Sequence, residues 1–272
     1  MAIGVSTYAY SHRWDASAPQ PLSLLQMLHE IADLGGEVFQ ICDHPDLEAL
    51  TPELAAQLRE AAAERGLVLE TGTRGTGVEH LRTHLAHARS LGARTVRSMV
   101  FAVVDGVPDR PTTEETLTRL RTVVPEYEAA GVTLGLETYE QIMTSELLEI
   151  VDAIDSPNLG IVLDPANCVA NVEHPRDVVR RLARRVVNIH VKDFAFTRRE
   201  GWAGFTLASC PLGEGQLDYR DLLAVVQPDP TRVHQVLEHW LLPQGDVAST
   251  CQVEADWTAR SLRTLTGYQA PR

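Results

Sequence analysis

The chain is short of the features that mark secreted, membrane-spanning and nucleic-acid-binding proteins. Its four cysteines, Cys42, Cys168, Cys210 and Cys251, stand far apart and make no CxxC pair, which argues against both a disulfide framework and a structural zinc site. Cys168 is assigned no catalytic role. No apolar run approaches a membrane span, and the opening segment MAIGVSTYAYSHRW has neither the basic region nor the apolar stretch of a secretory signal. A soluble cytoplasmic protein with no membrane partner is the expectation. Basic residues are scarce: 24 Lys and Arg face 37 Asp and Glu, for a formal net charge of −13, so the clustered positive charge that phosphate backbones require is missing. Nucleic acid is therefore not expected as a partner. Low-complexity tracts, linkers and long repeats are absent as well, and a single domain over residues 1–272 is expected.

What is present is a regular alternation. Short β-branched or apolar runs occur at 2–8, 36–42, 67–73, 93–101, 132–138, 159–164, 186–192 and 233–238. Helical patterns fall at about 22–35, 51–65, 77–91, 112–130, 145–155, 174–185, 219–227 and 250–266. Thr51-Pro52 reads as a helix N-cap followed by proline at the first helical position, Asp218 as the cap of the seventh helix, and Gly35, Gly66, Gly92 and Gly131 stand where helices should stop. Strand and helix in eightfold alternation predict an α/β protein with a single (β/α)8 TIM barrel.

In such a barrel the C-terminal ends of the strands converge on one mouth, where the chemistry sits. Four consecutive predicted strands in the second half each end on a potential metal ligand: Glu137, Asp164, His190 and Glu238. Three carboxylates and an imidazole suit a hard-to-borderline divalent cation, Mn2+ first, with Mg2+, Co2+ or Zn2+ as alternatives. Side chains two apart on a strand share a face, so Lys192 and Trp240 should point inward with His190 and Glu238, and His239 away. Lys192 is then a candidate to neutralise an oxyanion, with Asp193 as its partner or as an orienting group. Glu137 and Glu238, opposed across the ion, offer a base on each face of a substrate carbon, an arrangement suited to epimerisation.

Arg74 and Arg97, near the ends of strands three and four, are candidate contacts for an anionic substrate group, and Tyr8, with Tyr10 and Trp14, a candidate floor of the pocket. The turn Pro211-Leu212-Gly213-Glu214-Gly215 lacks a dinucleotide context, but its backbone N–H groups could hold a phosphate or hydroxyl. His80, His84 and His87 share one outer helix without an acid to complete an HExxH pattern, so no second metal is expected there. The long connection 194–217, with Phe194, Phe196, Trp202 and Phe205, reads as a lid that sets substrate choice or as the subunit interface of a homo-oligomer.

With these residues in place, the chain resembles the xylose-isomerase-like superfamily of sugar phosphate isomerases and epimerases. GLE at Glu137, LDxxN from Asp164 to Asn167, HVKD from His190 to Asp193, PLGEGQLDY from Pro211 to Tyr219 and LEHW ending on Trp240 follow the order seen in its L-ribulose-5-phosphate 3-epimerase group. The resemblance implies that Glu137, Asp164, His190 and Glu238 bind a divalent metal and that Glu137 and Glu238 act as the acid/base pair. Asn167 stands where D-tagatose 3-epimerase-like members have histidine, and is taken as a substrate contact with Arg97, Arg74, Tyr8 and Trp240. The expected function is a metal-dependent isomerase or epimerase of a small ketose or ketose phosphate. The alternative is a lyase, a decarboxylase or dehydratase acting on an oxo-sugar acid or inosose through the same enediolate. A repair nuclease resembling endonuclease IV would need further histidines, and a metal-free sugar-binding relative would not need the intact quartet.

Overall fold

A computed structural model describes residues 1–269 except Asp105, Glu200 and Trp202. Eight parallel strands close into a barrel: β1 (Ile3–Ser6), β2 (Val38–Cys42), β3 (Val68–Gly72), β4 (Thr95–Ser98), β5 (Thr133–Glu137), β6 (Leu159–Leu163), β7 (Val186–Val191) and β8 (His234–Leu237), with β8 pairing back onto β1. Each strand is followed by its outer helix: α1 (Leu24–Asp33), α2 (Pro52–Arg65), α3 (Val78–Leu91), α4 (Thr113–Ala130), α5 (Thr144–Ile154), α6 (Pro175–Leu182), α7 (Tyr219–Val226) and α8 (Val247–Gln269). The TIM barrel expected from the alternation is the fold.

Local chemistry sets the helix ends. Ser23 with Gln26, and Thr112 with Glu115, form reciprocal capping boxes at the starts of α1 and α4. Thr51 caps α2 with Pro52 behind it, and the helix stops where Gly66 turns left-handed at φ 69°, a conformation a Cβ would disfavour. The core lies between barrel and helices, where Phe39, Ile41, Leu134, Leu136, Ile161 and Ile189 are inaccessible to solvent. Burying such side chains contributes roughly 1.5–3 kcal/mol each before chain entropy is counted.

Two antiparallel hairpins stand on the mouth. One, Ala102–Val104 with Val107–Asp109, follows β4; the other, Phe194–Arg198 with Phe205–Ser209, follows β7. The connection expected as a loop at 194–217 is therefore a hairpin followed by a tight turn. Phe194 is buried and meets Phe196 edge-on at 6.4 Å, whereas Phe196 and Phe205 are exposed; Trp202 lies outside the described residues. Strand β1 is shorter than expected, because a 3-10 turn from Thr7 to Tyr10 begins before Tyr8.

Candidate metal centre

Glu137 is the last residue of β5, His190 lies near the end of β7, and Asp164 and Glu238 directly follow β6 and β8. One ligand atom from each lies within 4.8 Å of the others, and all four side chains are buried. Among the described residues no other set of three such side chains converges in this way. His80, His84 and His87 meet ring to ring along α3, the first pair tilted and the second edge-on, with centroids 4.5 and 5.3 Å apart.

Each ligand is aimed by its surroundings. Asp164 Oδ1 accepts the N–H groups of Ala166 and Asn167 at 3.0 and 3.3 Å, capping the helical turn Pro165–Cys168 and leaving Oδ2 to face the cluster. Glu137 Oε1 accepts from Asn167 Nδ2 at 2.9 Å and lies 3.2 Å from His190 Nδ1. Its Oε2 lies 2.6 Å from Arg97 Nε, an ion contact outside hydrogen-bond alignment. The lysine ammonium of Lys192 sits 2.7 Å from Asp164 Oδ2 and 3.2 Å from both Glu238 Oε2 and Asn167 Oδ1, over the Trp240 ring at 4.3 Å. His239 points away, edge-on to Trp257.

Three buried carboxylate oxygens, Glu137 Oε2, Asp164 Oδ2 and Glu238 Oε1, have no aligned hydrogen-bond donor, although the first two lie against the Arg97 and Lys192 cations. Buried acceptors in that state are costly unless a cation satisfies them. Oxygen-rich donors with one imidazole are the set a divalent ion of the Mg2+ or Mn2+ type accepts, so the residues present fit such an ion. The electrostatics are mutual. Burial would lower the Lys192 pKa, but Asp164, Glu238 and Glu137 outweigh it and hold the ammonium above its ordinary value. Burial would raise Glu137, yet Arg97 and His190 hold its carboxyl well below the usual range. Burial raises Asp164 despite Lys192.

The other expected site residues divide into two groups. Tyr8, Trp240 and Arg74 stand at the mouth. Tyr8 donates its hydroxyl hydrogen to Asp43 Oδ2 at 2.7 Å and accepts from Arg74, which is half-exposed and also 3.2 Å from the same carboxylate. Arg74 further lines a cavity of about 430 Å3 with Phe101, Arg110 and Glu140. Arg97 and Asn167 lie deeper, their polar groups engaged by protein. Arg97, expected as an anion contact, is instead buried beneath the cluster. It joins Glu137 to Asp43 Oδ2 (3.0 Å) and to the Thr73 carbonyl (2.9 Å), so its Nε and Nη1 groups face protein acceptors. Tyr10 belongs to the core and not to the pocket.

Two expectations for the HVKD and PLGEG segments are corrected. Asp193 does not partner Lys192: its carboxylate accepts the backbone N–H groups of Phe194, Gly213, Gly215 and Leu217 at 2.8–3.0 Å. Two of the amides thought free for a phosphate are thereby occupied. Gly215 has no room for a side chain, since a Cβ there would lie 2.3 Å from Asp193 Oδ1. Asp43 was missed altogether. It sits just after β2 with φ at 50°, an unusual conformation for a residue other than glycine, and gathers Tyr8, Arg74 and Arg97. An acid directly after a strand end was its only signal in the sequence.

Comparison with known proteins places this geometry. The family model for the xylose isomerase-like TIM barrel matches residues 28–259. The chain belongs to that family. It is 48% identical over 265 residues to 3-oxo-isoapionate decarboxylase of Pectobacterium atrosepticum, covering 97% of this chain and 95% of that protein. Among solved structures, a D-psicose 3-epimerase crystallised with D-fructose superposes with a TM-score of 0.74 at 13% identity, over 98% of this chain and 99% of the other. A xylose isomerase-like barrel from Mycobacterium smegmatis in complex with magnesium gives 0.67 at 18% identity, over 97% and 96%. At those identities the structures establish the fold alone. These related proteins include enzymes, and no helix among the described residues of this chain is long and apolar enough to cross a membrane.

Proposed function

We propose that the protein is a metal-dependent decarboxylase of a small 3-oxo sugar acid. The observation that carries this reading is the near-full-length 48% identity with 3-oxo-isoapionate decarboxylase. In a 3-oxo acid the carbon–carbon bond to the carboxylate breaks, carbon dioxide leaves, and the electron pair is taken up by the oxo group as an enolate. That enolate then gains one proton on carbon. Glu137, Asp164, His190 and Glu238 would hold a divalent ion, Mn2+ or Mg2+ by the donor set, which when bound supplies an electrophile for oxygen atoms of the substrate. Lys192, kept charged by its carboxylate neighbours, stabilises the negative charge that develops as the bond breaks. Glu238 Oε1, buried and without an aligned donor, faces the reacting carbon and relays to it the one proton the reaction takes from solvent, while Lys192 stays charged 3.2 Å away at Oε2. Arg74, half-exposed beside its cavity, anchors the anionic end of the substrate, and Trp240 keeps water from the ammonium.

Epimerisation or isomerisation of a ketose, the first expectation from the sequence, stands second. It requires Glu137 and Glu238 to act as bases on opposite faces. The Arg97 guanidinium and the Asn167 amide on Glu137 oppose proton uptake there, whereas decarboxylation needs one proton donor only. The test is to supply a 3-oxo sugar acid and Mn2+ in D2O and to follow carbon dioxide and product together. Stoichiometric carbon dioxide with one solvent deuterium per product molecule is the expected result. Deuterium exchange or epimer formation on a panel of ketoses and ketose phosphates, with no carbon dioxide from the acid, would restore the isomerase reading.

A further inference from the structure

Beneath the cluster the barrel interior is polar where a packed apolar layer would be expected. In register, Gln40 on β2 pairs with Glu70 on β3, and His234 on β8 pairs with Asn188 on β7. All four side chains point inward and meet across the barrel. Glu70 Oε2 accepts from Gln40 Nε2 at 3.0 Å and from Asn188 Nδ2 at 2.9 Å, and Glu70 Oε1 is 2.6 Å from His234 Nδ1. At its other end Gln40 Oε1 lies 2.9 Å from His190 Nε2 and also accepts from the Cys42 thiol at 3.2 Å. Gln40, Glu70, Asn188 and His190 are all at most 1% exposed, so water does not compete for these bonds.

The order of donors along this chain settles which group faces His190 Nε2. A carboxylate only accepts, so the end of the Gln40 amide that faces Glu70 must be its NH2 group. The oxygen of the amide is then turned to His190, where it too can only accept. His190 Nε2 must therefore carry a hydrogen. Nδ1 is the nitrogen that faces the cluster, 3.2 Å from Glu137 Oε1 and 3.4 Å from Glu238 Oε1; beside two carboxylates it carries a hydrogen as well in the metal-free protein, and that hydrogen is the one a cation displaces. We propose that Glu70, acting through Gln40, is a positioning residue that holds the His190 ring by its Nε2–H, so that Nδ1 is the nitrogen turned to a cation. Neither Glu70 nor Gln40 touches the substrate or the ion. The inference rests on the cation reading of the preceding subsection, and it explains why an acid is kept in the middle of the barrel, next to nothing that reacts.

The test uses metal-stripped full-length protein and two measurements. Titration calorimetry with Mn2+ should show one site in the wild type, weakened about 10–100-fold in Glu70→Gln and in Gln40→Leu. The double variant Gln40→Glu/Glu70→Gln reverses the order of the pair. The carboxylate introduced at position 40 accepts from His190 Nε2–H and from the new amide at position 70, while the Asn188 amide turns to offer Oδ1, which has no partner in the native arrangement. Binding should return to within a few-fold of wild type, a recovery that a merely structural role for Glu70 does not give. The His190 Nε2–H proton, followed by NMR in the metal-free protein, should give a hydrogen-bonded signal in wild type and in the double variant, and shift upfield or broaden away in Glu70→Gln. Folded single variants with wild-type affinity and an unchanged Nε2–H signal would overturn the proposal. If the wild type took up no cation, the cation reading would fail by itself, and the Nε2–H signal would still decide whether Glu70 holds the ring.

Discussion

Replacement of Lys192 by methionine should make the metal-free protein less stable and its metal binding tighter. The ammonium is buried 2.7 Å from Asp164 and 3.2 Å from Glu238, with Glu137 also contributing to the field that holds it charged. At an effective dielectric of about 20 each such contact is worth roughly 5 kcal/mol of attraction, most of it offset by the desolvation of both partners. Removing one member of a buried pair leaves the other uncompensated, at a cost of about 3–5 kcal/mol. Methionine matches the length of the lysine and keeps the apolar contact with Trp240, so little of that loss is due to packing. A divalent ion at the same carboxylates is repelled by the ammonium and competes with it for Asp164 and Glu238. Without Lys192, the free energy lost in the metal-free state is recovered on binding, and affinity for Mn2+ should rise at least tenfold, or about 1.4 kcal/mol. Urea unfolding of stripped protein and calorimetry with Mn2+ measure the two halves, and carbon dioxide release from a 3-oxo sugar acid should be nearly abolished. A stripped variant as stable as wild type, or one that binds Mn2+ more weakly, would show that Lys192 is not the internal counter-ion of the cluster.

Other substitutions test the support around the site. Gly215→Ala places a Cβ 2.3 Å from Asp193 Oδ1 and 2.4 Å from the Phe194 carbonyl; it should cost about 1–3 kcal/mol in urea unfolding and lower turnover while leaving Mn2+ affinity intact, and wild-type stability would contradict the close approach. His234 is pulled down by burial but raised overall by its contact with Glu70. A raised folded-state pKa stabilises fully below the unfolded value of about 6.5 and loses that contribution as pH climbs through the folded value. The stability advantage of wild type over His234→Gln should therefore shrink between pH 6 and pH 9, and an advantage that grew with pH would refute the assignment.

The barrel was legible because each strand is a β-branched or apolar run bounded by helix caps, and because Glu137, Asp164, His190 and Glu238 end successive strands. Alternation also places Asn188, His190 and Lys192 on one face of β7, a relation that needs no structure to see. The hairpin after β4 was overlooked although the Asp105-Gly106 pair between apolar residues is a hairpin signal, since each arm is only three residues long. Asp193 was misread for a different reason: a carboxylate adjacent to a buried lysine is indistinguishable in sequence from one that binds backbone amides twenty or more residues away.

The layer below the cluster depends on register, which a single sequence does not contain. Arg97 pairs with Gly135, so it stands diagonally beneath Glu137 on the next strand and can reach its carboxylate; a register shifted by two residues would carry it away from that position while leaving every inward or outward assignment unchanged. The same holds for Gln40 opposite Glu70. Alternation says which side chains enter the barrel, and register says at what depth they meet. For that reason the four mouth residues could be named from the chain alone, whereas the arginine that restrains Glu137 and the acid that orients His190 through Gln40 emerge only when the strands are paired. The proposed chemistry depends on both layers: a carboxylate held by Arg97 and Asn167 is a poor base, which leaves proton delivery, on the decarboxylase reading, to Glu238 beside the charged Lys192.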